Sequence, residues 1–367
     1  MGNSTSSSNN EPDYTTITKT EAKILETIHI NAFDRAHSQD PLKQDVFDEL
    51  IEIGQGNVKN GVYFVLKNIE YTQRFLKNIS VKRNSDEYNI LIEIIGTAHL
   101  QESAKVTKLI KSHCEKKEFS LVIENACVAK IFHSSLFLFL DVPMSLVDEY
   151  LGIPELSRES TLMDKFSILG ISTHLRPEYR NKWQRTFLSE RDGKSWIQFV
   201  NSLRGSTIIV VKDSKGYIFG GFTCDIWKMN PNFYGSGDGF LFQLHPELKV
   251  FKPTGINNNF MYLNYNKQSL PNGIGFGGQF HYFGLWIESS FESGHSKANP
   301  KSTTYGNSRL SCEENFQIDV VEVWCTNDSA ETESESPQQS AMVKHSEELN
   351  FLELANRPRY HDYEEND

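Results

Sequence analysis

Between positions 205 and 286 the apolar residues fall into short, strand-length runs separated by turn residues. Residues 207–212 are β-branched and apolar, Asp213-Ser214-Lys215-Gly216 forms an Asp-started turn ending in Gly, and 217–222 resumes an apolar run, which predicts a β-hairpin. A second hairpin is predicted where 240–244 and 249–252 flank His245-Pro246-Glu247. Residues 260–263, 283–287 and 316–324 supply three further strands, the last with partial period-two alternation. No helical crossover separates these runs, so antiparallel sheets packed as a sandwich are expected.

The period changes upstream. Thr18 stands three residues before Glu21, the spacing of a capping box, and Ile24, Leu25, Ile28 and Phe33 can line one helical face. Apolar-periodic pieces continue at 46–50, 62–75, 88–95, 104–113 and 119–139, which predicts a mainly helical domain over 17–153. Pro154 marks the expected boundary. Helices over 162–171 and 194–203 precede the first strand; in the second, Trp196, Ile197, Val200 and Leu203 share a side and Gly205 offers a stop.

Taken in chain order, Val211-Lys212-Asp213-Ser214, Phe219-Gly220-Gly221-Phe222, Trp227-Lys228, Phe233-Tyr234-Gly235, Phe240-Leu241-Phe242, Val250-Phe251-Lys252, Phe276-Gly277-Gly278, Phe283-Gly284-Leu285-Trp286 and Val321-Glu322-Val323-Trp324 resemble the TLDc domain. The resemblance implies an α+β chain: an N-terminal, mainly helical, EF-hand-like and degenerate domain, then a TLDc domain (154–328) with a two-sheet antiparallel β-sandwich flanked by helices. An EF-hand calcium loop, Asp-x-Asp-x-Asp-Gly closed by Glu, is absent from the sequence, so calcium binding is not expected.

Charge is uneven. Of the formal −11, the stretch beyond Asp328 contributes ten acidic residues against three basic ones. Neither part has the basic excess of a nucleic-acid footprint, so no nucleic-acid partner is expected. The cysteines, five in all, are widely spaced and form no Cys-x-x-Cys pair, which suits reduced thiols in a reducing compartment. The longest apolar run, near 136–142, is far short of the roughly 20 residues of a membrane-spanning helix.

The first residues, Met1-Gly2-Asn3-Ser4-Thr5-Ser6, fit the N-myristoylation pattern, with Gly2 as acceptor; a plain polar leader over 1–16 is the competing reading. One acyl chain binds membranes only marginally, and neither a polybasic patch nor a nearby cysteine reinforces it, so a membrane-resident partner is implied. In the acidic tail, 329–367, apolar residues return at 346–355, where Leu349, Leu352 and Phe351 can share a helical face. This segment resembles the tail of the myristoylated, lysosome- and mTOR-associated branch of the family; it either docks on a partner or folds back on its own sandwich.

Several catalytic patterns are weighed and set aside. His281, His295 and Glu292 lack metal-ligand spacing, so no metal or other cofactor is expected. Ser206, Asp213 and His281 supply triad residue types without a nucleophile elbow. Gly273, Gly275, Gly277 and Gly278 lead into a strand, whereas a phosphate cradle opens a helix. Cys224 and Cys312 have no activating cation motif. No catalytic residue is therefore assigned.

The resemblance implies a non-enzymatic adaptor that binds the cytosolic sector of the vacuolar proton-pumping ATPase. It implies a cytoplasmic protein, peripheral on lysosomal and endosomal membranes, linked to mTOR-pathway proteins or oxidative-stress resistance. The alternatives are a protective enzyme acting on oxidants and a membrane-tethered scaffold without pump binding. Expected contact residues are Trp227, Tyr234, His281, Tyr282 and Glu288 near loops, with Leu349, Leu352 and Arg357 in the tail; Phe283, Leu285 and Trp286 are expected in the core.

Overall fold

The structure is a computed structural model that describes residues 12–31, 40–98, 125–267 and 269–327. Gly2, Phe33, Cys114, Leu349, Leu352 and Arg357 lie outside the described residues, as do the proposed leader signal and tail segment. The chain divides into two compact units, one of residues 1–153 with 165–174, the other of 154–164 with 175–367.

The described helices of the first unit are α1 (Lys19–Asn31), α2 (Pro41–Ile53), α3 (Val58–Lys67), α4 (Ile69–Arg83), α5 (Glu87–Ala98), α6 (Ala126–Phe139), α7 (Met144–Leu151) and α8 (Lys165–Ser172). The expected capping box is formed: the Thr18 amide donates to the Glu21 carboxylate at 2.7 Å, and the Glu21 amide donates to Thr18 Oγ1 at 3.1 Å. Ile24, Leu25 and Ile28 of α1 are fully buried, as the spacing requires. The apolar piece at 62–75 is not one element. Asn68, with extended backbone, ends α3 and caps α4 by accepting the Glu70 amide at 2.8 Å. An Asn-Ile pair inside an apolar run hid that break.

The second unit carries strands β1 (Glu155–Leu156), β2 (Lys182–Leu188), β3 (Ser206–Asp213), β4 (Ile218–Thr223), β5 (Phe240–His245), β6 (Lys249–Phe251), β7 (Met261–Asn264), β8 (Gly273–Phe276), β9 (Leu285–Glu288), β10 (Ser293–His295) and β11 (Asn315–Asn327), with short helices α9 (Ser189–Asp192) and α10 (Trp196–Ser202). One sheet runs β6-β5-β4-β3-β11, continued through β2 on the other side of β11; the second runs β7-β8-β9-β10-β11. The long β11 belongs to both sheets: its first residues pair with β10 and the remainder with β3 and β2.

Both predicted hairpins are present, β3 with β4 and β5 with β6. The antiparallel expectation has one local exception, the two-residue parallel pair of β1 with β2. Four strands escaped the sequence reading, the two-residue β1 among them. In β2, Lys182 and Arg185 interrupt the apolar positions, and β10 is too short to show a period. In β8, Gly273 and Gly275 are strand residues that admit their neighbours: a Cβ on Gly273 would lie 2.5 Å from the Trp286 ring, and one on Gly275 would lie 2.5 Å from the Phe283 ring.

The core lies between the sheets, where Ile209, Val211 and Phe219 face Leu263, Phe276 and Ile287. Alternation on β7 and β9 sends Tyr262 and Trp286 to the opposite face, where they join Phe283 beneath Phe233 and Phe280. Each fully buried aliphatic or aromatic side chain contributes roughly 1.5–3 kcal/mol.

Candidate docking rim

Three connections are laced together beside the core: 224–239 between β4 and β5, 252–260 between β6 and β7, and 277–284 between β8 and β9. Phe233 of the first stacks on Phe280 of the third at 5.4 Å. Tyr234 exchanges backbone hydrogen bonds with Met261, so the first connection also lies along β7. Asn259 Nδ2 donates to the Gly278 carbonyl at 2.7 Å, and the Gly278 amide donates to Thr304 Oγ1 at 2.7 Å.

Gly278 holds the turn in the left-handed region, φ +87°, where a Cβ would meet the Tyr282 carbonyl oxygen at 2.1 Å. His281 also takes positive φ and is exposed at the apex beside Tyr282, which is 42 % exposed. Among the described residues of this unit, the large apolar side chains left exposed are Ile226, Ile256 and Tyr282, one in each connection. Isolated exposed apolar residues need no explanation; here three stand on connections that touch one another through Phe233, Phe280, Asn259 and Gly278.

The predicted contact residues part company here. Trp227 is buried: its Nε1 donates to Thr207 Oγ1 at 2.8 Å and its ring meets Phe276 edge-on at 5.2 Å, so it anchors the loop from below. Tyr234 is a strut, its hydroxyl accepting the Lys228 amide at 2.9 Å; burial pushes that phenol well above its ordinary range. His281 and Tyr282 are together at the surface. Glu288 is exposed but at the far end of β9, where its carboxylate accepts the Ser293 hydroxyl at 2.7 Å. Sequence reasoning passed over Ile226, which stands between Asp225 and Trp227, and Ile256, an isolated isoleucine between Gly255 and three asparagines.

Two buried carboxylates fix the sandwich from inside. Glu322 on β11 accepts the Thr161 amide at 2.8 Å, the Ser160 and Thr161 hydroxyls at 2.6 Å each, and Trp324 Nε1 at 3.1 Å, with Arg185 at 3.4 Å. Asp213 accepts the Lys215 and Tyr217 amides and the Ser311 hydroxyl, so it closes the β3–β4 turn and ties down the segment before β11.

Ser206 and Asp213 occupy opposite ends of β3, so they do not converge with His281 as a triad would require. His295 is packed against Phe283 and Trp286, and burial lowers it to about 4. The Cys224 thiol contacts the Ser236 hydroxyl at 3.3 Å; burial raises its pKa, with Asp225 and Asp238 adding to the rise, which leaves it protonated at neutral pH. No group of three or more potential metal ligands occurs among the described residues. No helix among them is long and apolar enough to cross a membrane.

Residues 156–327, the span that contains this sandwich and its loops, match the TLDc domain family. The chain carries a TLDc domain. Over 220 residues, 59 % of the chain, it is 39 % identical to MTOR-associated protein MEAK7 of Mus musculus, covering 48 % of that protein. It is 37 % identical to the Homo sapiens MEAK7 over 232 residues, 63 % of the chain and 50 % of that protein. With oxidation resistance protein 1 of Bos taurus it shares 31 % identity over 175 residues, 47 % of the chain but 19 % of that much longer protein. The chain thus spans about half the length of the MEAK7 relatives it matches. The TLDc sandwich is the platform on which the rim loops are mounted.

Proposed function

We propose that the chain is a non-enzymatic adaptor whose TLDc rim docks the cytosolic sector of the vacuolar proton-pumping ATPase at acidic-organelle membranes, in a setting linked to mTOR signalling. The observation that carries the adaptor reading is the exposure of Ile226, Ile256 and Tyr282 on three mutually braced loops. Apolar anchors surrounded by polar residues and held by buried struts are what a protein interface requires. The choice of signalling setting follows the likeness to proteins named for mTOR association. The choice of pump follows the family resemblance. Myristoylation of Gly2 supplies the weak membrane tether in this reading, and the tail beyond 328 supplies a second contact.

The test is co-purification of identified vacuolar ATPase with the full chain, beside the same protein ending at Asp328. Capture by the full chain alone makes the tail the main clamp, and equal capture places the main contact within the domain. Capture by neither removes the pump from the account.

A protective enzyme is the second reading, raised by the likeness to oxidation resistance protein 1. The half-buried Cys224 thiol, its pKa held above the ordinary range by desolvation, disfavours a thiol-based version of it. Peroxide consumption by the purified chain that survives replacement of every cysteine would restore an enzymatic role by another route.

A further inference from the structure

Strand β11 delivers the end of the TLDc domain to the rim itself. Asn327 pairs opposite Ser206 and Cys325 opposite Thr207, while Thr207 on its other side pairs with Thr223, from which the 224–239 connection starts. The chain therefore leaves the sandwich two strand spacings, about 10 Å, from the foot of that loop. Residues 328–345 then provide eighteen positions, a reach of up to ~60 Å, before the segment 346–355 begins.

The rim and that segment are complementary in charge and in apolar character. Lys228 and Lys252 stand exposed on the rim connections with no carboxylate partner among the described residues; the Lys228 ammonium lies over the Tyr234 ring at 5.5 Å. The nearby acids are already engaged, Asp225 by the Ser236 amide and hydroxyl and Asp238 by Arg176 at 2.6 Å. The segment 346–355 has Glu347, Glu348 and Glu353, no cation, and the apolar residues Leu349, Phe351, Leu352 and Leu354.

From these observations we infer that residues 346–355 dock in cis on the rim of their own TLDc domain, with leucines on Ile226 and Ile256 and glutamates facing Lys228 and Lys252, and so cover the rim until a partner displaces them. Tethering gives a segment on a linker of this length an effective concentration near the millimolar range, so even weak intrinsic affinity suffices. The inference rests on the rim being a docking surface, as proposed above, but not on the identity of the partner.

Hydrogen exchange on the full chain tests it, comparing the wild type with Leu349→Glu/Leu352→Glu. The expected result is that amides within 224–239 and 252–260 exchange about tenfold slower in the wild type, at a rate independent of protein concentration. Equal exchange in the two proteins overturns the proposal. Protection that fades on dilution overturns it too, because a second copy is then the occupant. As an independent arm, Lys228→Glu/Lys252→Glu is expected to remove the protection and Glu347→Lys/Glu348→Lys in the same chain to restore it; protection indifferent to both changes contradicts the charge pairing. Pump capture is not the readout, so failure here and failure of the pump assignment are separate results.

Discussion

In the helical unit the buried carboxylates face lysines that keep one side in water: Glu21 meets Lys67 at 2.9 Å, and the fully buried Glu49 meets Lys82, itself 40 % exposed, at 2.9 Å. In the TLDc sandwich Asp213 and Glu322 sit wholly inside and accept hydrogen bonds from loop amides and hydroxyls distant in sequence. The first arrangement joins helix to helix and leaves each cation partly in water. The second fastens loops to strands. The interior polarity of the sandwich is used to hold connections in place, here the segment at Ser160 and Thr161 and the β3–β4 turn.

Breaking the sandwich clamp should have the largest effect. Glu322→Gln leaves the nearly buried Arg185 guanidinium without its counter-charge and turns one of the two oxygens that accept from Ser160 and Thr161 into an amide donor, so a loss of about 3–5 kcal/mol is expected in denaturant unfolding. A loss under about 1 kcal/mol would place Glu322 with the wetter pairs of the helical unit.

The helical unit should show its weakness in acid. His133 shares a hydrogen bond of 2.9 Å between Nδ1 and the Tyr150 hydroxyl, and burial lowers its pKa to about 4. Between pH 6.5 and 4 the unfolded chain takes up a proton that the folded chain refuses, so stability falls as pH falls across that window, by roughly 2–3 kcal/mol. His133→Gln should flatten that part of the pH–stability curve, whereas Glu322→Gln should leave it in place.

At the rim the expected stability effect is smaller. Gly278→Ala forces a Cβ into a left-handed turn against the Tyr282 carbonyl, so a loss of about 1–2 kcal/mol is expected together with weaker partner capture, because the turn carrying His281 and Tyr282 must shift. Smallest of all, Cys224 should be alkylated slowly at pH 7 and faster as the solution is made alkaline, seen by mass spectrometry of the labelled chain. Rapid labelling at pH 7 would reopen the redox reading.

The legible parts of this fold are those where local chemistry and tertiary structure agree. The capping box at Thr18 and Glu21, the Asp213 turn and the β5–β6 hairpin each follow from a few adjacent residues. Strand β2 was not legible because its order comes from pairing with β11, more than a hundred residues away, and β8 because glycines that usually signal turns are there to admit Trp286 and Phe283. Exposure was only partly legible at the rim: His281 and Tyr282 are exposed as expected of loop residues, whereas Trp227 turns inward to the Thr207 hydroxyl. Ile226 and Ile256 become informative only when three connections are seen to adjoin.

The most direct measurement of the central claim is the affinity of purified vacuolar ATPase cytosolic sector for the full chain and for Ile226→Glu/Tyr282→Glu, with circular dichroism showing both proteins equally folded. A wild-type complex weakened at least about tenfold by the two rim charges is the predicted result, since burying unpaired carboxylates at an interface core costs several kcal/mol. Equal affinities, or no binding by the wild type, would contradict the account.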